Sequence, residues 1–140
     1  MTVKLCQTDD IATCLALRKA VFIDEQGVTR DEDIDGLDGA ARHLLASVDG
    51  RPVGTARLLV EGDIGKIGRV CVLPPHRGTG LGLALIRTAL DVFGEQKTLR
   101  IVRLSAQISA LGFYEKLGFV AHGDEYLDAG ILHRDMDHTL

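Results

Sequence analysis

The sequence contains no tryptophan, and four phenylalanines and two tyrosines are its whole aromatic complement. Its 16 basic residues are dispersed and outnumbered by 20 acidic ones, for a net charge of −4. A chain without a basic stripe or stacking rings is poorly suited to nucleic acid, so no nucleic-acid partner is expected. Cysteine is scarce as well: Cys6, Cys14 and Cys71 are odd in number and scattered. They form neither a disulfide framework nor a C-x-x-C pair, and read as buried free thiols. No apolar run approaches the roughly 18 residues of a membrane-spanning helix. The first ten residues lack the basic end and apolar block of a secretion signal. These absences predict a soluble, cytoplasmic protein with no membrane contact.

At 140 residues the length fits one domain, 1–140, able to bury about two thirds of its unfolded surface. Val3 to Cys6 reads as a strand. Thr8 or Asp9 can cap a helix running to about Glu25, with Ile11, Cys14, Leu15, Val21 and Phe22 at helical spacing. Gly27 ends it, and the polar stretch to Ala40 is a loop or a short helix. Its acidic run, Asp31 to Asp35, is either a solvated loop or a weak preference for a cationic substrate. His43 to Val48, Val53 to Val60 and Lys66 to Leu73 predict an antiparallel meander with turns at Asp49-Gly50 and Glu61-Gly62-Asp63. A helix from Gly80 to Phe93 and a strand from Thr98 to Leu104 follow, the strand parallel to its predecessor by a crossover. A further helix, about Ser109 to Leu117, is closed by Gly118. Two strands, near Phe119 to Gly123 and Leu132 to Asp137, complete a mixed α/β layer fold.

The densest signal is Val70-Cys71-Val72-Leu73-Pro74-Pro75 leading into Arg77-Gly78-Thr79-Gly80-Leu81-Gly82 and a helical run. A strand, a glycine turn and a helix start let backbone N–H groups approach an anionic ligand; the same letters also fit a plain chain reversal. Two nucleotide motifs fail. The Walker loop needs Lys and then Ser or Thr after its last glycine, where this chain has Leu83-Ala84. The dinucleotide fingerprint needs a small residue at 83, and belongs to a first βαβ unit rather than after a meander.

Arg77-x-x-Gly80-x-Gly82 after a Val-x-Val-Leu-Pro strand resembles the acyl-CoA loop of the GNAT superfamily of N-acetyltransferases. Ala110-Leu111-Gly112-Phe113-Tyr114-Glu115-Lys116-Leu117-Gly118-Phe119 resembles its second signature, a tyrosine-bearing helix ending in Leu-Gly-Phe. Val21-Phe22-x-x-Glu25-Gln26-Gly27-Val28, Asp33-Ile34-Asp35, Ala41-Arg42-His43 and the segment Leu127 to His133 are similar to a branch of small bacterial acetyltransferases, the ElaA/YjcF-like group. That branch usually reads Gly-Ile-Pro-His where this chain has Gly130-Ile131-Leu132-His133. The resemblance implies a GNAT fold, a mostly antiparallel sheet of six to seven strands with helices on both faces. It also implies acetyl-CoA as co-substrate, an amine on a small molecule or peptide as acceptor, and direct attack within a ternary complex. A non-catalytic acyl-CoA sensor or scaffold and a long-chain acyltransferase stand as alternatives.

Under that resemblance, backbone N–H groups of Arg77, Gly78, Thr79, Gly80, Leu81 and Gly82 hold the CoA pyrophosphate, and Arg77 adds charge at the loop mouth. The backbone of Val70, Cys71 and Val72 pairs with pantetheine, which requires that strand to diverge from its neighbour. Tyr114 is the candidate acid for the leaving thiolate; otherwise it is an aromatic packed on the core, as Phe113 and Phe119 are expected to be. Candidates for the base are Glu25, His43 and His133, each with a structural alternative, a local pair for Glu25 and a satisfied hydrogen bond for the histidines. His133, Asp135 and Asp137 alternate onto one strand face but lack the supporting cluster of a metal site, and no metal is expected. Edge strands at the C-terminal end leave a homodimer open.

Overall fold

The computed structural model describes residues 2–30 and 34–140. Its centre is a seven-stranded sheet in the order β1-β2-β3-β4-β5-β7-β6. β1 (Val3–Thr8), β2 (Arg42–Val48), β3 (Arg51–Glu61) and β4 (Ile64–Val72) pair antiparallel in turn. Between β2 and β3, Asp49 and Gly50 both take positive φ, 50° and 80°. This is the two-residue turn whose twist matches that of the flanking strands.

α1 (Ile11–Arg18) starts at Asp10, whose carboxylate accepts from the Thr13 N–H at 3.1 Å. Neither Thr8 nor Asp9 takes that place: the Thr8 hydroxyl instead accepts the Asp10 N–H. Nor does one α-helix reach Glu25. From Lys19 to Glu25 the coil widens into a π-helix, with the Gln26 N–H bonded five residues back to Val21.

After β4 the chain turns through Pro74–His76 into α2 (Leu81–Gly94), then returns as β5 (Ile101–Gln107), parallel to β4. α2 buries Leu81, Leu85, Ile86, Ala89, Val92 and Phe93 on one face of the sheet, each large apolar side chain stabilising by about 1.5–3 kcal/mol. They meet inward residues such as Leu44, Leu58, Ile67, Val102 and Met136. The other face carries α1, where Leu17, Val21 and Cys71 form a second buried cluster.

α3 is shorter than the apolar pattern predicts, Leu111–Glu115 behind a 3-10 turn at Ile108–Ala110. Its end is a paired C-terminal motif: Gly118 N–H bonds Glu115 O at 3.1 Å and Phe119 N–H bonds Tyr114 O at 3.2 Å. Gly118 has φ 87°, as that motif requires. Phe119 is buried, whereas Phe113 is 42% exposed and outside the core. β6 (Val120–Asp128) and β7 (Ile131–Thr139) close the sheet as a hairpin, with β7 inserted between β5 and β6. No helix among the described residues is long and apolar enough to cross a membrane.

Candidate active site

β4 and β5 are paired from Ile64↔Ile101 to Ile67↔Leu104 and no further, although both strands continue. Beyond that point they diverge, so the sheet opens between Gly68–Val72 and Ser105–Gln107. A bulge lies at the opening. Arg57 of β3 faces Gly68 while Thr55 faces Cys71, which places one extra residue on β4, and Arg69 sits at φ 49°. Such bulges bend a strand and increase its twist, here at the fork.

The fork holds a cavity of about 250 Å³. Phe22, Gln26 and Val28 close it from the end of the π-helix; Gly68, Arg69 and Val70 form one wall, Ser105, Gln107 and Tyr114 the other, and Ile131 and His133 the base. Of the predicted residues, Tyr114, Val70 and His133 thus meet in one cleft. The Tyr114 ring packs edge-on against Phe113 and Phe119, centroids 5.0 and 6.0 Å away. Burial pushes its hydroxyl pKa above 10.0, so the phenol keeps its proton throughout the neutral range. His133 is 8% exposed, and its Nδ1–H donates to the Ile131 carbonyl at 2.7 Å. That bond leaves the Nε2 lone pair as the basic site of the neutral ring. Leu132, where the related branch carries proline, pairs with Leu127 in the hairpin.

Glu25 and His43 lie elsewhere. The Glu25 carboxylate takes both Nη groups of Arg77, at 2.7 and 2.6 Å, and Arg77 Nε donates to the Val72 carbonyl at 2.9 Å. The Arg77 hydrogen bonds hold the Glu25 pKa below 4.5. His43 is buried on β2, its Nε2–H donating to the Asp38 carbonyl at 2.9 Å. It adjoins a cluster in which Asp38 meets Arg18 at 2.7 Å and Asp35 meets Arg57 twice at 2.8 Å. Asp31, Glu32 and Asp33 of the acidic run lie outside the described residues; Asp35 is committed to arginine.

At the end of β4, Gly78 and Gly80 take φ 74° and 87°, a conformation that costs a side-chain-bearing residue. Gly80 occupies the N-cap of α2 without a side-chain cap, and the first intrahelical bond is Ala84 N–H to Gly80 O. The N–H groups of Leu81, Gly82 and Leu83 therefore point out of the helix start without intrahelical acceptors. No atom lies within 4 Å of where a Cβ on Gly82 would stand. The Cys71 carbonyl, by contrast, is turned toward β3, 3.0 Å from where a Gly54 Cβ would lie.

Sequence reasoning missed the neighbours of His133. Tyr126 stacks on its ring at 6.2 Å; the Tyr126 hydroxyl donates to Asp135 at 2.6 Å and is hydrogen-bonded to Ser105. These contacts follow from the β5-β7-β6 order and its registers, Gln107↔His133 and His133↔Tyr126, which no local spacing shows.

The Acetyltransferase (GNAT) domain family matches residues 16–140. YjcF of Bacillus subtilis, an uncharacterized N-acetyltransferase, is 37% identical over 121 residues, covering 86% of each chain. Two crystal structures superpose over 98% of this chain and 99% of their own. They are Escherichia coli ElaA, with TM-score 0.87 and 29% identity, and an acyl-CoA N-acyltransferase from Pseudomonas aeruginosa, with 0.86 and 30%. The forked sheet and the glycine loop thus stand on a GNAT fold, and the chain belongs to the GNAT family of acetyltransferases.

Proposed function

We propose that the protein transfers the acetyl group of acetyl-CoA to a primary amine by direct attack in a ternary complex. The observation that carries this reading is the fork between β4 and β5, which sets Tyr114 and His133 in one cleft while β4 leads on through a glycine turn to the uncapped start of α2. The N–H groups from Gly78 to Leu83 bind the pyrophosphate, aided by the positive end of the helix dipole; the Arg77 N–H, expected among them, is already bonded to the Pro74 carbonyl at 3.2 Å. Along β4, Val70 offers its backbone to a pantetheine amide, as an added strand pairs with a sheet edge. Cys71 and Val72 contribute less than their place in the sequence suggests, since the Cys71 carbonyl faces β3 and the Val72 carbonyl is taken by Arg77.

His133 Nε2 accepts the proton that the ammonium must lose before attack, and Tyr114 gives its hydroxyl proton to the departing thiolate. No enzyme nucleophile is required. Glu25 is not the base in this scheme: with Arg77 it fastens the end of the π-helix to the pyrophosphate loop, joining the wall of the acceptor cleft to the cofactor site.

Calorimetric titration with acetyl-CoA, followed by measurement of free CoA across a panel of primary amines, tests the proposal. It predicts saturable binding and amine-dependent CoA release above hydrolysis. Binding without release for any amine would make the protein an acyl-CoA sensor or scaffold instead.

A further inference from the structure

A second cavity, of about 200 Å³, adjoins the cleft and shares Ile67, Gly68, Leu104 and Ser105 with it. Arg57, Lys66, Arg103 and Asp135 also line it. Strand register brings three cations from three strands together here. Lys66 stands between Leu59 of β3 and Arg103 of β5, and Arg57 stands opposite Gly68. Nothing lies within 4 Å of where a Gly68 Cβ would be, so the floor between these cations is bare backbone.

Both guanidiniums are braced at the cavity's edge. Asp35 takes the two Nη groups of Arg57, and Asp137 takes Nε and Nη2 of Arg103 at 2.8 and 3.0 Å. Lys66 pairs with Glu61. Arg57 is 6% exposed, and its Nε–H is buried with no acceptor among the described residues. Arg103, by contrast, keeps its Nη1 donors beyond the two bonds to Asp137, and such charge-assisted donors suit an anion. Asp135, the one carboxylate of the lining, already accepts the Tyr126 hydroxyl.

We infer that the acceptor amine carries a carboxylate, which docks between Arg57, Lys66 and Arg103 over Gly68 while the amine enters the cleft beside His133. This rests on the N-acetyltransferase reading above. On β5 and β7, the row holding Ser105 and Asp135, both of which line the second cavity, lies two residues along the strands from the row holding Gln107 and His133, roughly 7 Å. An ω-amino carboxylate has the length to bridge two such rows.

The test compares 5-aminovalerate with its amide, 5-aminopentanamide, which has the same length and no negative charge. CoA release is measured with acetyl-CoA, and calorimetric binding with the CoA-loaded protein. The acid should exceed the amide by about tenfold or more in both kcat/KM and affinity. Lys66→Gln and Gly68→Val, which leave the Arg57–Asp35 pair in place, should bring both ratios toward one. Equal handling of acid and amide by the unaltered protein would overturn the inference even if both are acetylated. Selective binding of the acid without CoA release would support it while overturning the acetyltransfer reading.

Discussion

Asp35 holds Arg57 with both carboxylate oxygens, and Arg69 approaches the same group at 3.3 Å. The hydrogen bonds from Arg57 are the main cause lowering its pKa from 3.8 to about 2. A carboxyl more acidic in the folded chain than in the unfolded one stabilises the fold above pH 3.8, and that contribution is lost as pH falls toward 2. Asp35→Asn should therefore reduce stability at neutral pH, on the order of 1–2 kcal/mol after allowance for partial exposure. It should also flatten the loss of stability in that acid window, as denaturant unfolding at stepped pH would show. An unchanged acid limb would mean the pair is spent equally in the unfolded chain. The sequence presents Asp35 as one of several acids in a polar loop, because its partner lies on a strand 22 positions away. His43 carries no visible sign that its ring is tied to the Asp38 carbonyl, five positions before it, because that bond depends on how the intervening turn folds back; the tyrosine of the second motif is recognisable from its neighbours in sequence.

At the scale of elements, the meander, the crossover and both main helices follow from apolar periodicity and turn residues, since each is a local pattern. The π-helix at Lys19–Glu25 does not, because its apolar residues Val21 and Phe22 continue the α spacing of the preceding helix. Helix α3 falls short of its pattern because part of the expected helix, Ser109 and Ala110, lies in a 3-10 turn, while Lys116 and Leu117 form its closing turn. Packing of α2 on β4 is close enough to be tested directly. A Cβ on Gly65 would lie 2.7 Å from Phe93 Cδ1 and 2.8 Å from Cε1 and Cγ, and Phe93 is fully buried. Gly65→Ala should destabilise by roughly 1–3 kcal/mol through overpacking. Thermal denaturation would read this as a lowered Tm, and a Tm equal to that of the unaltered chain would mean Phe93 yields at no cost.

Across the whole molecule, the sheet is two parts sharing one short parallel seam, β1-β2-β3-β4 on one side and β5-β7-β6 on the other. α2 packs against strands β1 to β4 and α1 against β2, β3 and β4. The seam opens where both strands outrun their pairing, and Tyr114 and His133 meet there because distant stretches of chain come together at one fork, from which β4 leads on toward α2. The glycine loop and the tyrosine helix were legible in the sequence as motifs. The surroundings of His133 and of the second cavity were not, since Arg57, Arg103, Ser105 and Tyr126 are brought near one another only by the order of the strands. If the fork holds Tyr114 as the acid for the leaving thiolate, the Tyr114→Phe variant tests it most directly, with acetyl-CoA affinity and amine-dependent CoA release measured side by side. The account predicts affinity nearly unchanged and turnover lower by about 10²-fold or more. Unchanged turnover would contradict it.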